Sequence, residues 1–389
     1  MQERVEKLKQ KLLEIYGNTG KKITVVRAPG RINLIGDYTE VHEGYALPLA
    51  VDPTLFVAVR RRNDALLSVY SMDFEEKIEA PLATLKFNRE HGWANYPKSV
   101  LWSLQNAGHK FEGFEMVISG NIPQGVGCAS SSALTAAVAL AVTLLGNWSW
   151  DVRRMAKLCQ RAESQFIGVS CGMMDSLAVM ASVAGHALFL DCRSLHYENI
   201  PIAFQGAQFV LVNSGVSRRL KSDAYDARRE EWDQALKLLQ TKNSKYLSLR
   251  DVGQVAFERY KSVLPESIRP CIEHVVYEND RVLRAKEALV QGKVELFGSL
   301  LIKSHRSLKK NYERVSQELD ALVEMALEIK GVYGSRLIGA GLGGCTVQLV
   351  AETALPAFQE ILVKQYRQKF NIQPDVKICQ SASAASEVI

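Results

Sequence analysis

A glycine- and serine-rich stretch at residues 122–133 has the composition of a loop that binds an anion. Its sequence is IPQGVGCASSSA, and the apolar, helical segment LTAAVALAVTLL follows at once. Gly125 and Gly127 allow the backbone to turn tightly with its N–H groups pointing inward. The serines then lie at a helix N-terminus, where free amides and the helix dipole favour negative charge, and their hydroxyls can ligate a phosphate-bound Mg²⁺. A serine-capped buried helix fits the same pattern, and the usual phosphate motif G-x-x-x-x-G-K-[ST] is absent from the sequence.

Charged residues in other segments have the right types to hold a metal ion or to activate a hydroxyl. Arg31 and the acidic stretch 37–43 lie in the N-terminal part of the chain. Glu163 falls in the helical segment MAKLCQRAESQF, and Asp175 follows the glycine-bearing residues 167–172. Carboxylates can bind Mg²⁺ and can accept the proton of a hydroxyl nucleophile. Each acid taken alone also fits a solvated surface residue, and the spacing leaves both interpretations open.

Residues 339–344, GAGLGG, formally satisfy the dinucleotide-binding fingerprint G-x-G-x-x-G. That fingerprint requires a helix immediately after the glycines, whereas residues 345–350, CTVQLV, predict a strand. A glycine-rich turn between two strands instead lets the backbone approach a ligand closely, or forms a tight hairpin. NAD binding is therefore not expected.

The elements that must position these residues are strands and helices that interleave without regular alternation. The runs KITVVRAP, TLFVAVRRR, FEMVISG and HALFLD predict strands in the first half of the chain. The second half opens with the strand AQFVLVNSG and continues with helices near residues 224–239, 278–291 and 314–329. It closes with a strand–turn–strand unit at 335–350, a helix near 357–369 and the strand DVKIC. Because the order lacks a strict βαβ rhythm, we expect an α+β layout and not a doubly wound sheet.

Composition excludes several classes of protein. The 389 residues are 47% hydrophobic and 23% charged, which indicates a folded globular chain of about two domains. The net charge of +6 is spread thinly, so no nucleic-acid partner is expected. The longest apolar run, 133–145, is too short for a bilayer, and the amphipathic start MQERVEKLKQKLLEIYG is unlike a signal peptide, so no membrane association is expected. Seven separated cysteines without a C-x-x-C pair predict a reducing, cytoplasmic location.

These segments occur together in an order that resembles the GHMP small-molecule kinases and, within them, the galactokinases. The matching blocks, in chain order, are APGRINLIG at 28–36 with Gly44 and LP at 47–48, WANY at 93–96, 123–133, CQRAE at 159–163, CGMMD at 171–175, DAY at 223–225, RR at 228–229, and 334–347. The resemblance covers about residues 25–350. It implies an α+β, two-domain GHMP-kinase fold with the active site in the cleft between the domains. Residues 1–205 would form the N-terminal, ribosomal-S5-like domain and residues 206–389 the C-terminal α/β domain.

The resemblance implies an ATP-dependent kinase that phosphorylates the anomeric C1 hydroxyl of D-galactose or a close relative, with Mg²⁺ as the metal. Asp175 would take or orient the proton of the attacking hydroxyl, and Arg31 would steady Asp175 and the transition-state charge. Ser131 and Glu163 would ligate Mg²⁺. ATP binding is assigned to Gly125, Val126, Gly127, Cys128, Ala129, Ser130, Ser131 and Trp93, and sugar binding to Asp37, Tyr38, Thr39, Glu40 and Tyr225.

The chain departs from the galactokinase pattern on the sugar side. Galactokinases carry GEHTDY where residues 36–41 read GDYTEV, and a glutamine usually follows their catalytic aspartate where this chain has Ser176. In the family the Glu, His and Asp of this motif contact sugar hydroxyls. The changes therefore either redirect the pocket to another sugar (an amino sugar, a uronic acid, arabinose or a heptose) or compensate one another.

A sugar- and ATP-binding sensor without catalysis is a further hypothesis. Such a protein would be expected to lose one of the residues that carry the chemistry, yet Arg31, Ser131, Glu163 and Asp175 are all present. The oligomeric state is left open by the sequence.

Overall fold

A computed structural model of the chain describes residues 1–216, 223–312, 315–339, 341 and 343–389, with the backbone alone for 223–229. The strands of the first half are β1 (Thr24–Ile35), β2 (Tyr45–Arg61), β3 (Leu66–Ser71), β4 (Glu76–Pro81), β5 (Phe114–Gly120), β6 (His186–Asp191) and β7 (His196–Pro201). Its α-helices are α1 (Gln2–Tyr16), α2 (Asn95–Asn106), α3 (Ser130–Gly146), α4 (Val152–Arg161) and α5 (Met174–Ala181).

The second half contains the strands β8 (Ala207–Asn213), β9 (Val332–Leu337), β10 (Cys345–Ala351), β11 (Asp375–Cys379) and β12 (Ser386–Glu387). Its α-helices are α6 (Asp223–Gln240), α7 (Gln254–Tyr260), α8 (Arg269–Val290), α9 (Val294–Tyr312), α10 (Gln317–Glu328) and α11 (Leu355–Phe370). Short 3₁₀ helices cover Glu40–His42, Leu82–Thr84, Arg89–Ala94, Leu249–Asp251, Lys261–Val263 and Glu352–Ala354, and a π-helical segment spans Ala162–Ile167.

The strands form two sheets. The first has eight strands in the order β12-β1-β2-β5-β3-β4, with β6 paired to β2 and β7, and the second has the order β11-β8-β10-β9. Every pairing between these strands is antiparallel except that of β3 with β5. The α+β layout expected from the sequence is confirmed, because a doubly wound fold would need a parallel sheet. The predicted domain boundary at residue 205 falls between β7 and β8, while β12 returns to the first sheet; the division into two domains at that residue stays a prediction.

Each helix predicted in the second half overlaps an observed one, but α8 begins at Arg269, nine residues earlier than predicted, and α9 (Val294–Tyr312) was not predicted. The segment expected at 224–239 is α6, and those at 278–291 and 357–369 fall within or close to α8 and α11. The helix expected at 314–329 is α10, although residue 314 is outside the described residues. The segment holding Glu163 differs, since α4 ends at Arg161 and the chain continues as a π-helix.

One core joins the two halves. Helix α3 is buried continuously from Ser132 to Thr143, because it is apolar on all sides and packs against β1 and β2. Val282 of α8 and Leu300 of α9 belong to the same hydrophobic cluster as Leu34 of β1. Among the described helices, none combines the length and hydropathy that a membrane crossing requires.

Candidate active site

The phosphate loop, residues 121–129, joins β5 to α3 and turns sharply before the helix begins. Gly125, Gly127 and Ala129 have φ angles of 70°, 91° and 55°, a region that glycine adopts without steric cost. Ala129 is the N-cap of α3, and no side chain caps the helix. The serine-capped alternative is therefore wrong: the three serines lie inside the first turn, and the amides of this helix N-terminus remain available to an anion.

Gly339 and Gly344, at the two ends of the glycine-rich turn 339–344, pack directly against the phosphate loop. A Cβ atom on Gly344, whose φ is 99°, would lie 2.9 Å from the Val126 carbonyl oxygen, so a side chain has no room there. From the side of the phosphate loop, a Cβ atom on Gly127 would lie 3.6 Å from the Ile338 carbonyl oxygen. The turn leads from β9 into β10, so the helix required by a dinucleotide fingerprint is replaced by a strand, as predicted.

Arg31 links the phosphate loop to Asp175. The Arg31 side chain, 8% exposed in β1, forms an ion pair with the Asp175 carboxylate. A second guanidinium nitrogen donates to the Gly127 carbonyl at 3.0 Å, and the backbone N–H of Arg31 donates to the Cys128 carbonyl at 3.0 Å. Asp175, the second residue of α5, is 34% exposed. One buried cation therefore holds an accessible carboxylate beside the loop that is predicted to bind phosphate.

Glu163 lies against the first turns of α3. The Ser132 and Thr135 hydroxyls are 3.4 Å and 3.2 Å from its carboxylate, and the Ser131 hydroxyl hydrogen-bonds it as well. The π-helical turn that carries Glu163 is a feature frequently found at functional sites, where it redirects a side chain. The structure thus brings the two predicted metal ligands, Ser131 and Glu163, into contact.

The acids around Asp175 titrate at unusually high pH. Burial raises the pKa of Glu163 to about 7, and repulsion from Asp175 adds to the effect. Burial likewise raises the pKa of Glu40 to about 7, again with a contribution from Asp175. Acids clustered in this way favour a bound cation or a proton transfer.

Ser131 and Glu163 fit a magnesium ion. No group of three or more His, Cys, Asp or Glu side chains in the described part of the chain is arranged to hold a metal ion by itself. Mg²⁺ keeps several waters and binds one or two carboxylates together with substrate phosphates. A buried carboxylate beside a hydroxyl, at the start of a helix suited to phosphate, is such a donor set.

The sugar loop, residues 36–45, brings Glu40 to the same cluster of acids. Glu40 Oε1 accepts a hydrogen bond from the Met174 N–H at 2.7 Å, at the N-terminus of α5, where a carboxylate is favoured. A Cβ atom on Gly172 would overlap the Glu40 carboxylate, so the glycine makes room for this acid. The structure therefore places Glu40 beside Asp175.

The other side chains of the sugar loop face elsewhere. Asp37 is 9% exposed, and its carboxylate pairs with Arg336 of β9. Tyr38, with a φ of 62°, stacks on Tyr312 of α9 with ring centroids 4.2 Å apart. Thr39 is fully buried, and its hydroxyl contacts carbonyl groups of the loop itself. Contact between these three residues and a sugar stays a prediction.

Comparison with known proteins connects this geometry to one group of enzymes. The family model "GHMP kinases N terminal domain" matches residues 95–183, "GHMP kinases C terminal" matches 285–368, and "Galactokinase galactose-binding signature" matches 10–61. The chain is 37% identical over 362 residues to a galactokinase of Chloroflexus aurantiacus, covering 93% of each chain. It is 34% identical over 390 residues to a galactokinase of Clostridium beijerinckii, covering 99% of this chain and 100% of the relative. The chain belongs to the galactokinase family.

Solved structures agree with this family assignment. The crystal structure of Lactococcus lactis galactokinase complexed with galactose matches with a TM-score of 0.93 at 32% identity, covering 97% of this chain and 98% of that one. A mevalonate kinase of Methanococcus jannaschii, at 20% identity and a TM-score of 0.66, shares the fold. The expected two-domain GHMP-kinase fold is confirmed, and this galactokinase-family chain is a sugar kinase.

In this galactokinase-family enzyme, Trp93 contacts the β3–β4 connection and the start of β4. Its indole N–H donates to Glu76 at 2.8 Å, and its ring stacks on Phe74 with centroids 6.1 Å apart. The neighbouring Asp73 accepts a hydrogen bond from the Gly120 N–H at 2.8 Å, at the end of β5. Trp93 is thus connected to the residue before the phosphate loop only through Phe74 and its chain neighbour Asp73, and the predicted contact of Trp93 with ATP stays a prediction.

Two of the predicted ATP-binding residues have buried side chains. Val126 and Cys128 are 7% and 1% exposed, and the Cys128 thiol hydrogen-bonds the buried Cys345 thiol. The backbone of these residues is what remains to face a phosphate group, and Cys128 packs as a small apolar residue. The predicted sugar ligand Tyr225 falls among the residues whose side chains lie outside the described structure.

Sequence reasoning missed the buried polar residues that the C-terminal half contributes to the sugar loop. Arg336 stands in the strand SRL, next to the apolar Leu337, where a cation needs a buried partner. His274 and Glu278 are four residues apart in α8 and lie on one face of that helix. These patterns are visible in the sequence, but they do not indicate that the partners of these residues lie in the sugar loop.

Proposed function

We propose that this enzyme transfers the γ-phosphate of ATP to the C1 hydroxyl of D-galactose, and that it requires Mg²⁺. The observation that carries the proposal is the bridge formed by Arg31, which contacts the Gly127 carbonyl of the phosphate loop and the Asp175 carboxylate at once. It puts an accessible acid next to the loop suited to phosphate. The name of the 32% identical structure, galactokinase complexed with galactose, supports the choice of sugar.

Asp175 receives the proton of the attacking hydroxyl. The C1 oxygen forms a bond to the γ-phosphorus as the bond from that phosphorus to the β,γ-bridging oxygen breaks, and ADP leaves with that oxygen. The hydroxyl proton passes to the Asp175 carboxylate. Because the ion pair with Arg31 stabilises the charged carboxylate, Asp175 orients the hydroxyl first and accepts its proton late in the reaction.

The remaining chain supplies positive potential where the transferred phosphoryl group carries negative charge. The α3 N-terminus presents amides that no side chain caps, and such a helix end attracts phosphate. Arg31 adds a fixed guanidinium, 8% exposed and therefore screened little by water. Both are held in place before substrate arrives, so little reorganisation is needed during the transfer.

Ser131 and Glu163 would hold Mg²⁺. When bound, the ion would neutralise phosphate charge and fix the geometry of the phosphates. Burial and repulsion from Asp175 make the charged form of Glu163 unfavourable, and its hydroxyl partners offset this only in part. A cation bound beside Glu163 would therefore lower the electrostatic cost of ionising it.

A coupled ADP-release assay with Mg²⁺-ATP and a panel of free sugars tests the proposed function. We expect selective turnover of galactose. Weak turnover of galactose together with strong turnover of another sugar would show that the sugar loop has changed the specificity. Binding of ATP and sugar without turnover of any of them would identify a sensor and contradict the proposal.

A kinase acting on the C1 hydroxyl of a different monosaccharide is the second candidate. It is favoured by the arrangement of the sugar loop, in which Asp37 turns to Arg336 and Tyr38 stacks on Tyr312. The candidates are an amino sugar, a uronic acid, arabinose and a heptose, all of which belong in the same panel.

The seven cysteines are free thiols in the structure, which supports the predicted reducing, cytoplasmic location.

Ser131→Ala tests the metal site. Removing one oxygen ligand is expected to raise the Mg²⁺ concentration for half-maximal activity roughly 10-fold or more, measured by titrating Mg²⁺ at fixed ATP. Ser99→Ala is the matched control, because Ser99 is a buried serine in α2 whose hydroxyl bonds the Tyr96 carbonyl. An unchanged Mg²⁺ requirement in Ser131→Ala would refute its role as a ligand.

A further inference from the structure

The carboxylate of Asp37 is engaged on both oxygens inside the protein. Its Oδ1 atom accepts a hydrogen bond from the Asn33 side-chain amide at 2.9 Å. Its Oδ2 atom forms an ion pair with Arg336. Asp37 is 9% exposed and Asn33 is 2% exposed, so the carboxylate presents little surface to a ligand.

Arg336 needs this carboxylate. The Arg336 side chain is 0% exposed, and a second guanidinium nitrogen donates to the Leu34 carbonyl at 2.9 Å. Within the described part of the chain, Asp37 is the one acid that pairs with it. Burial lowers the pKa of Arg336 to about 9, because the charged guanidinium loses the stabilisation of water. Losing one partner of a buried pair leaves an uncompensated charge, so both partners are held strongly in place.

Helix α8 holds the same loop at both ends. Glu278 accepts a hydrogen bond from the Gly36 N–H at 3.0 Å, and Asn279 accepts one from the Tyr45 N–H at 2.9 Å. The Nε2 atom of His274 lies 3.1 Å from the Asp37 carbonyl oxygen. Side chains of the C-terminal half therefore bind backbone groups of the sugar loop as well as the Asp37 side chain.

We propose that Asp37 is a positioning residue, which fastens the sugar loop to the C-terminal half through Arg336 and does not itself bind the sugar. The short aspartate side chain keeps its carboxylate beside the buried guanidinium. The loop fixed in this way carries Glu40 to the Met174 N–H, next to Asp175. The inference rests on the proposed function and deepens it, since it leaves Glu40 as the acid of the loop that faces the reacting hydroxyl.

Asp37→Asn is tested by steady-state kinetics with galactose and its 2-, 3-, 4- and 6-deoxy analogues. If Asp37 bound one sugar hydroxyl, the substitution would lower kcat/KM for galactose but would have little effect on the analogue that lacks this hydroxyl. A positioning residue acts on every substrate alike, so we expect kcat/KM to fall roughly 10- to 100-fold for galactose and by a similar factor for each analogue. The KM for ATP should stay within about twofold of wild type, because Asp37 does not contact the phosphate loop.

Arg336→Lys is the second variant, since it keeps a buried positive charge but loses the two-pronged contact with Asp37 and Leu34. We expect the same uniform loss across the analogues. The double variant should be little worse than either single variant, because the two residues act as a unit. Glu115→Gln is the matched control: it neutralises one acid of another buried pair, Arg60 with Glu115. It should lower the melting temperature but leave kcat/KM for every sugar near the wild-type value, because this pair lies outside the sugar loop.

A loss of discrimination at a single deoxy position in Asp37→Asn, or additive losses in the double variant, would overturn the proposal. If circular dichroism shows that Asp37→Asn does not fold, Arg336→Lys is assayed with the same deoxy analogues. A loss of discrimination at a single deoxy position in that variant would likewise overturn the proposal. The wild-type enzyme is assayed first. If it phosphorylates another sugar instead of galactose, the proposed function has failed, and deoxy analogues of that sugar then test the role of Asp37 separately.

Discussion

Three neighbouring acids are suited to different chemical roles because their surroundings differ. Asp175 is 34% exposed and is paired with a buried guanidinium. Glu163 is buried among hydroxyl groups, and Glu40 accepts a backbone N–H at the start of a helix. Of the three, Asp175 combines access to substrate with a partner that stabilises its charge, and these properties suit a group that orients a hydroxyl.

Asp175→Asn is expected to lower kcat by roughly 100- to 10,000-fold, because an amide cannot accept the hydroxyl proton. The Kd for ATP should remain within about twofold of wild type, since the phosphate loop and the Arg31 contact with Gly127 do not depend on this carboxylate. ADP release measures the first quantity and calorimetry with ATP the second.

Asp64→Asn is the matched control for this experiment. Asp64 also pairs with an arginine, Arg62, at 2.6 Å, but it is 52% exposed and outside the active site. Its kcat should equal that of the wild-type enzyme. A near-normal kcat in Asp175→Asn would show that another group accepts the proton.

Among the larger elements, the phosphate loop is positioned by strands from both halves of the chain. From β1, the Arg31 N–H holds the Cys128 carbonyl at 3.0 Å. From the β9–β10 unit, Gly344 brings its backbone against Val126. Ser214, just after β8, donates to the Gly344 carbonyl and ties that turn to the second sheet. The conformation of the phosphate loop therefore depends on glycine at a position far away in the sequence.

Gly344→Ala tests this dependence. The new Cβ atom would lie 2.9 Å from the Val126 carbonyl oxygen, so the phosphate loop or the turn must shift. We expect the KM for ATP to rise about 10-fold, because a displaced loop misaligns the phosphates, with a loss of stability of about 1–3 kcal/mol from the strained backbone. Initial rates at varied ATP and urea denaturation measure the two effects.

Gly206→Ala separates backbone strain from contact with the loop. Gly206 also has a positive φ, 67°, but a Cβ atom there would meet nothing within 4 Å. It should lose some stability and keep the wild-type KM for ATP. Equal KM values for ATP in the two variants would contradict the proposed packing of the turn on the phosphate loop.

Across the molecule as a whole, the two halves meet over buried polar groups as well as a shared core. Burial lowers the pKa of His42 to about 3 and that of His274 to about 4, so both rings are neutral in the folded protein near neutral pH. His42 packs edge-on against Trp232 of α6, with ring centroids 4.6 Å apart. Acid will therefore act on the packing of the halves as well as on the catalytic groups.

His274→Gln is expected to change how stability depends on pH. In the unfolded chain the ring gains a proton below pH 6.5, whereas the folded protein resists protonation down to about pH 4. The unfolding free energy of the wild type should therefore fall, relative to the variant, by about 1.4 kcal/mol per pH unit over this range as the pH is lowered. Urea denaturation of both proteins at several pH values between 4.5 and 7.5 measures the difference.

The difference between the two proteins isolates the histidine. Glu40 and Glu163 have raised pKa values and act in the opposite direction, making the folded protein less stable as the pH rises toward 7. His196→Gln, at an exposed ring, provides the same substitution without removing a buried group. Parallel pH curves for the wild type and His274→Gln would show that the buried ring does not control acid stability.

The sequence alone was enough to predict the family, the phosphate loop and the absence of a dinucleotide site. Each of these predictions rests on residues that lie close together in the chain. Gly125 and Gly127 permit their turn locally, the α3 amides follow from a helix starting at residue 130, and the strand at 345–351 follows from its own residues. The π-helical turn at Glu163 was not predicted, because its helical pattern continues unbroken from α4.

The roles of the sugar-loop acids depended on contacts between distant parts of the chain. Asp37 meets Arg336 across 299 residues, and Glu40 meets Met174 across 134. Before folding, nothing in the spacing distinguishes Asp37, which turns into the protein, from Glu40, which lies beside Asp175. The packing of β9 and α8 against the sugar loop makes that distinction, because a buried arginine must take the nearest carboxylate as its partner.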